Sequence, residues 1–365
     1  MLPFNKLTPG GIFLHQTKKN KEISLYIKIF IDQNKYNSLK KIPSETYLCS
    51  KFHVSRETVR RSIQPLKKEG LLYSVKGSGT FFRSIEIQDT EKKQQFSFRI
   101  ATIVQGQDSP ATKEFIAGLK KSLANKNIEL KLFFTDNKIS HERACLKACI
   151  AGYDGIITDG VKASLLNPNL DLYRTIEQKN IRCLFYNNFY TDIRFPHIII
   201  DNIQCAKLLV QKIIDKGHKD IGGIFFVDYY QGTQKYKGFI QTLADNDIAI
   251  KDENIKWLLY DNISEPAEFE KVIKKFLKKN TSTAIVCCNY LILKQVQKLS
   301  NHERELICFD YSENDWEKEN ILCSLNPSYE VGKKAGENMC KMLEDSNYKI
   351  HDYSYIFQPK IFEPK

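Results

Sequence analysis

No run of about 18 uninterrupted apolar residues occurs in the 365-residue chain, so nothing in it reads as a membrane span. The opening MLPFNKLTPGG lacks the charged stretch and long apolar run of a secretory signal, which predicts a cytoplasmic protein without a membrane partner. Zinc-type cysteine pairs are missing too. Of ten cysteines, Cys145 and Cys149 stand four apart, Cys287 and Cys288 are adjacent, and the rest are scattered. No C-x-x-C occurs, so the expectation is reduced, buried thiols rather than a metal ribbon or disulfide framework. Catalytic signatures are equally scarce: no Gly-rich phosphate loop, no nucleophile elbow and no metal-ligand cluster. His141, His197, His218 and His302 are isolated from one another in sequence. These absences argue against an enzyme and predict neither cofactor nor metal.

Acidic residues are scarce in one place only. Residues 1–85 hold 16 Lys and Arg against 5 Asp and Glu, whereas the other 280 residues hold 39 against 38. Nearly all of the +12 net charge therefore sits in one small segment, which predicts a polyanionic partner for it. A solubilising tail is the plainer alternative, but the segment has regular apolar periodicity. Ile23, Tyr26, Ile27, Phe30 and Ile31 fall on one helical face. Pro43 opens a second helix with Ser44 and Glu45 in its first turn and Leu48 and Phe52 inward. Ser55 caps a third, whose core face is Val59, Ile63 and Leu66 and whose outer face shows Arg56, Arg60 and Arg61. Alternating LLYSV and TFF around KGSG read as a β-hairpin. Two helices joined tightly, the second basic outward, followed by a wing, describe a winged helix-turn-helix suited to the major groove of double-stranded DNA. A small helical interaction domain with a solvated basic face is the bland alternative.

The stretch IPSETYLCSKFHVSRETVRRSIQPLKKEGLLYSVKGSGTFF resembles GntR-type domains along its whole length, in its PSE start, VSR-x-TVR, EGL and G-x-GTF. The resemblance implies that Ser44, Glu45, Ser55, Arg56, Thr58, Arg60 and Arg61, with Lys76, Ser78 and Gly79 of the wing, face operator DNA. Pro65 departs from the pattern and predicts a kink or loosening in the last turns of the third helix.

SIEIQDTEKKQQFS is polar and aperiodic, which gives domains at 1–83 and 98–365 with a linker at 84–97. Beyond it, short β-rich runs alternate with helical patterns through RIATIV, DGIIT, CLFY, HIIID, IGGIFF, TAIVCC and LICFD. That alternation predicts an α/β domain of two doubly wound parallel lobes, with ligand in the cleft beyond the strand ends. Polar residues recur there: Asp159 and Lys162, Asn187, Asp201, Asn289 and Asp310, with Lys235 at the start of the GFIQTL helix. Such side chains bind vicinal hydroxyls, although Asp and Asn serve as often as helix caps and turn formers.

The segments DGIITDGVKASLLNPN, KGHKDIGGIFFVDYYQGTQKYKGFIQ and TAIVCCN resemble the effector domain of LacI-type regulators, a two-lobed fold of the type I periplasmic-binding kind. The resemblance implies a homodimeric, sugar-controlled repressor with Asp159, Lys162, Asn187, Asp201, Lys235, Asn289 and Asp310 around the ligand. The effector it implies is a monosaccharide, a pentose such as L-arabinose, with another sugar or a nucleoside as the alternative. A helix-turn-helix head fused to an enzyme and a periplasmic solute receptor are the more distant readings. The family has Arg where Lys235 stands and Asn-Asp where this chain has Asn289-Tyr290, so one guanidinium fork and one carboxylate are exchanged.

Overall fold

The computed structural model describes residues 19–20, 23–24, 26–27, 30–31, 41–75, 79–82, 96–106, 109–300, 304–311 and 321–363. The chain divides into two compact units, Met1–Gln94 and Gln95–Lys365. Most of the expected linker, residues 84–95, lies outside the described residues, as do Lys76 and Ser78 of the wing. Among the described residues no helix is long and apolar enough to cross a membrane.

In the first unit the described residues between 19 and 31 are helical, and Ile23 and Ile27 are fully buried against Leu48, Val59, Ile63 and Leu66. A helix at Glu45–Phe52 is capped by Ser44, which thus precedes the first turn rather than standing in it. His53, at φ 52°, turns the chain into a helix at Arg56–Lys68, capped by Ser55. Pro65 does not break that helix. Its ring lies on the exposed side, and the helix continues to Lys68. The end is a paired turn: Gly70 N–H donates to Lys67 O and Leu71 N–H to Leu66 O, with Gly70 at φ 74°. The wing is the antiparallel pair β1 (Leu72–Val75) and β2 (Gly79–Phe82), extended by a bridge from Lys41 to Phe81.

The second unit has two lobes. The first is an all-parallel sheet ordered β13, β7, β6, β5, β3, β4, comprising Tyr355–Phe357, His197–Ile200, Arg182–Tyr186, Gly155–Thr158, Phe98–Val104 and Ile128–Phe134. Both faces are buried, and the period of two shows it. Ile100, Ile157, Leu184 and Tyr186 join one core, while Ala101, Ile103, Ile156, Cys183 and Phe185 join the other. The second lobe is ordered β14, β12, β11, β10, β8, β9, comprising Ile361–Phe362, Leu322–Leu325, Glu305–Tyr311, Ala284–Cys287, Ile221–Phe226 and Ile255–Leu258. Only β14 runs antiparallel there.

The chain passes between the lobes three times. After β7 the helix Asn202–Asp215 joins the second lobe's core, after β12 the helix Ser328–Glu344 returns to the first, and β13 leads back to β14. The short strands β13 and β14 had no periodic signal. Asp201 N–H donates to Phe357 O at 3.0 Å and Leu325 N–H to Lys360 O at 3.1 Å, tying the passages together.

Helix Ser328–Glu344 lies unusually close to helix Pro110–Leu123. A Cβ on Gly118 would stand 1.9 Å from Tyr329 O, and one on Gly332 would stand 2.0 Å from Phe115 O. Neither backbone can yield without separating the helices. Gly332→Val is therefore expected to cost about 1–3 kcal/mol or more, read as a lower urea midpoint for the full chain, whereas Gly106→Ala, with open space at its Cβ, stays near wild type.

Candidate functional site

The basic helix of the first unit presents its polar face to solvent. Ser55 Oγ accepts from Thr58 N–H at 3.3 Å and lies 3.0 Å from Thr58 Oγ1. Arg56 and Arg61 are exposed, and Arg61 donates to Glu57 at 2.6 Å. Arg60 donates through Nε to both Glu45 oxygens, at 3.0 and 3.2 Å, joining the two helices of the motif. With 64% of the Arg60 side chain exposed, such a pair is worth about 0–1 kcal/mol. A bidentate contact to guanine is worth about 1–3 kcal/mol, so the guanidinium is oriented without being sequestered. Gly79, at φ 119°, packs beneath Lys41 at the base of the wing.

In the second unit the structure brings the seven sequence-predicted ligand residues together in two groups at or near strand ends, the first tied to the other lobe through Lys162, across the seam between the lobes. In the first group, Asp159 is buried and accepts from Asn188 Nδ2 at 2.8 Å. Burial pushes its carboxyl up to about 7, against the pull of the Asn188 and Asn187 hydrogen bonds. Asn187 itself has φ 57°. Lys162, at φ 48°, reaches across to donate to Asp261 at 2.6 Å and stands 3.9 Å from Asp228. Asn137 also donates to Asp261, at 3.3 Å, and Ser164 Oγ lies 3.2 Å from Thr233 Oγ1.

In the second group, the fully buried Lys235 sits within helix Tyr230–Asp245, not at the start of a shorter one, and donates to Asp310 and to Cys288 O. Burial is the largest influence and opposes its charge, but the Asp310 carboxylate together with the neighbouring Cys288 and Cys205 raises its pKa on balance. Asp310 has φ 56°, so three of the seven residues hold a backbone conformation uncommon outside glycine, a recurrent mark of binding sites. Asp201 and Asn289 serve also as helix caps. Asp201 accepts from Gln204 N–H at 2.9 Å and Asn289 from Ile292 N–H at 3.0 Å.

Sequence reasoning missed Asp228, Tyr229, Tyr260, Asp261 and Asn137. Asp228 was findable, because it follows β8 as Asp159 follows β5. It is fully buried, and burial raises its pKa despite the Tyr260 N–H it accepts at 3.0 Å. Tyr229 and Tyr260 stack at 4.4 Å beside it. Asp228 Oδ2 and Asn137 Oδ1 are buried acceptors without a hydrogen bond. Among the described residues no group of three His, Cys, Asp or Glu could hold a metal ion.

The family model for bacterial regulatory proteins of the gntR family matches residues 19–82. The chain is a transcription regulator with a GntR-type head. Over 333 residues this regulator is 28% identical to the arabinose metabolism transcriptional repressor of Geobacillus stearothermophilus, covering 88% of this chain and 90% of that protein. The larger unit has the fold of LacI-type regulators. The regulator matches the transcription regulator CcpA of Lactococcus lactis with a TM-score of 0.63 at 16% identity, over 73% of this chain and 98% of that one. It matches a LacI-family regulatory protein from Chloroflexus aggregans with a TM-score of 0.60 at 14% identity, over 74% and 98%. It is a DNA-binding regulator and not an enzyme.

Two outcomes follow from this geometry. Arg60→Ala is expected to weaken operator binding by about 1–3 kcal/mol with relaxed preference at one base position, measured by mobility shift on point-substituted operators. The second concerns pH. An acid with a native pKa near 7 and an ordinary value of 3.8 makes folding take up a proton between those limits, so stability falls as pH rises through that window. Asp159→Asn removes that slope, worth up to about 4 kcal/mol, in urea unfolding at several pH values. An unchanged slope would assign it to another group.

Proposed function

We propose that this regulator is a cytoplasmic repressor of sugar-utilisation genes whose grip on operator DNA is released by a monosaccharide, L-arabinose first among pentoses. The observation that carries the reading is the chemistry of the seam. Asp159, Asp228, Asp310, Asn188 and Asn289 supply acceptors and amides at strand ends, and two buried acceptor oxygens there await donors. Vicinal hydroxyls bring such donors, and the stacked Tyr229 and Tyr260 offer an apolar wall for a C–H face. The similarity to an arabinose metabolism repressor over nearly the whole chain supports the choice of sugar.

Lys162, Lys235, Asp159, Asn187, Asp201, Asn289 and Asp310 are the residues assigned to the ligand. Lys162 and Lys235 already have carboxylate partners, which favours a neutral sugar over a phosphorylated one. Two copies of the chain would place two basic heads on a palindromic operator. Sugar binding lowers operator affinity only if the sugar favours the state that grips DNA poorly. Operator mobility shift with pentoses, hexoses and nucleosides tests this. Release by L-arabinose alone is the expected result. Release by a nucleoside or hexose would reassign the effector, and indifference to the whole panel would overturn sugar control.

A further inference from the structure

Glu142 lies in the first turn of helix Ile139–Ile150 with no exposure at all. Four side-chain donors converge on it. Asn167 and Asn169 donate to Oε2 at 2.9 and 2.8 Å, and the Tyr173 and Tyr190 hydroxyls donate to Oε1 at 2.9 and 2.7 Å. The adjacent Arg143 turns instead to Asp171 and Asn169. A carboxylate without a cationic partner is an expensive way to fill a core position. The donors show what it holds.

Asn167 Nδ2 also donates to Val161 O at 3.3 Å, and its Oδ1 accepts from Asn169 N–H at 2.8 Å. The Tyr190 hydroxyl lies 2.8 Å from the same Val161 carbonyl. Val161 stands between Asp159 and Lys162, on the loop after β5, while Tyr190 follows Asn187 and Asn188 on the loop after β6. One carboxylate therefore clamps both loops that carry the first group of seam residues. Lys162 at φ 48° needs such an external hold.

We propose that Glu142 is a positioning residue for the effector cleft, fixing the backbone under Asp159, Lys162 and Asn188 without touching the ligand. The inference rests on the reading of the seam as the effector site. Its chemistry separates charge from clamp. In Glu142→Gln the amide oxygen keeps both Asn donors. The amide N–H faces two phenol oxygens, whose protons turn to Val161 O and to Thr158 Oγ1, 3.5 Å from Tyr173. In Glu142→Leu the clamp is gone. Tyr173→Phe is the control, since Tyr173 belongs to helix Leu170–Gln178, which carries no seam residue.

The test uses the full chain and three readouts: backbone hydrogen exchange without sugar, L-arabinose binding by calorimetry, and thermal unfolding. In Glu142→Leu, exchange across residues 160–168 should rise, and L-arabinose affinity should fall, by about tenfold or more each. Glu142→Gln should stay close to wild type in both, and Tyr173→Phe should lower only the unfolding temperature. Unchanged exchange at 160–168 in folded Glu142→Leu overturns the proposal. So does faster exchange with undiminished sugar affinity, or a loss of affinity in Tyr173→Phe equal to that in Glu142→Leu. Should Glu142→Leu fail to fold, Tyr190→Phe removes the donor that ties the loop after β6 to Glu142, and the same test is read as exchange across residues 187–191. If the wild-type protein binds no sugar, the proposed function falls, and the exchange result alone decides the clamp.

Discussion

Charge taken out of water has to be met by something, and the larger unit is organised around that demand. Lys235 is fully buried and answered by Asp310. Asp159 is met only in part by Asn188 and Asp228 only in part by the Tyr260 amide, so burial still raises both carboxyls, while Glu142 collects four donors. The partnerships of Asp159, Asp228 and Glu142 involve loops at strand ends, where regular backbone bonding has stopped. The sheets bring those loops together, and the buried charges hold them still. Without the second effect, the parallel lobes would meet across an ill-defined gap.

The head follows a different economy. Its charges are exposed, its ion pairs are weak, and its rigidity comes from a small apolar core closed by two serine caps and the turn at Gly70. Stiff scaffolding beneath loosely held basic side chains suits a partner supplied from outside.

Much of this was legible in the chain. The Ser55 cap and the alternation of strand and helix follow from local chemistry that tertiary context leaves intact, whereas Ser44 proved to be a cap outside the first turn. Pro65 stands on the exposed side of the third helix, which continues past it to Lys68. Among the seam residues, those directly after strongly apolar strands announced themselves. Asp261 did not, because it sits in a 3-10 turn, Tyr260–Ser264, whose position depends on β9 pairing with β8. Glu142 gave no signal at all. A charged residue in an amphipathic helix reads as solvent-facing, and only the fold brings its four donors to it.

The three passages between the lobes bear on mechanics. Two bodies joined by one strand can swing and twist about it freely. Joined by three neighbouring segments, cross-bonded at Asp201 with Phe357 and Leu325 with Lys360, they are restrained against such swinging and twisting. Any displacement of one lobe against the other has to pass through all three segments at once, so none of them can bend alone.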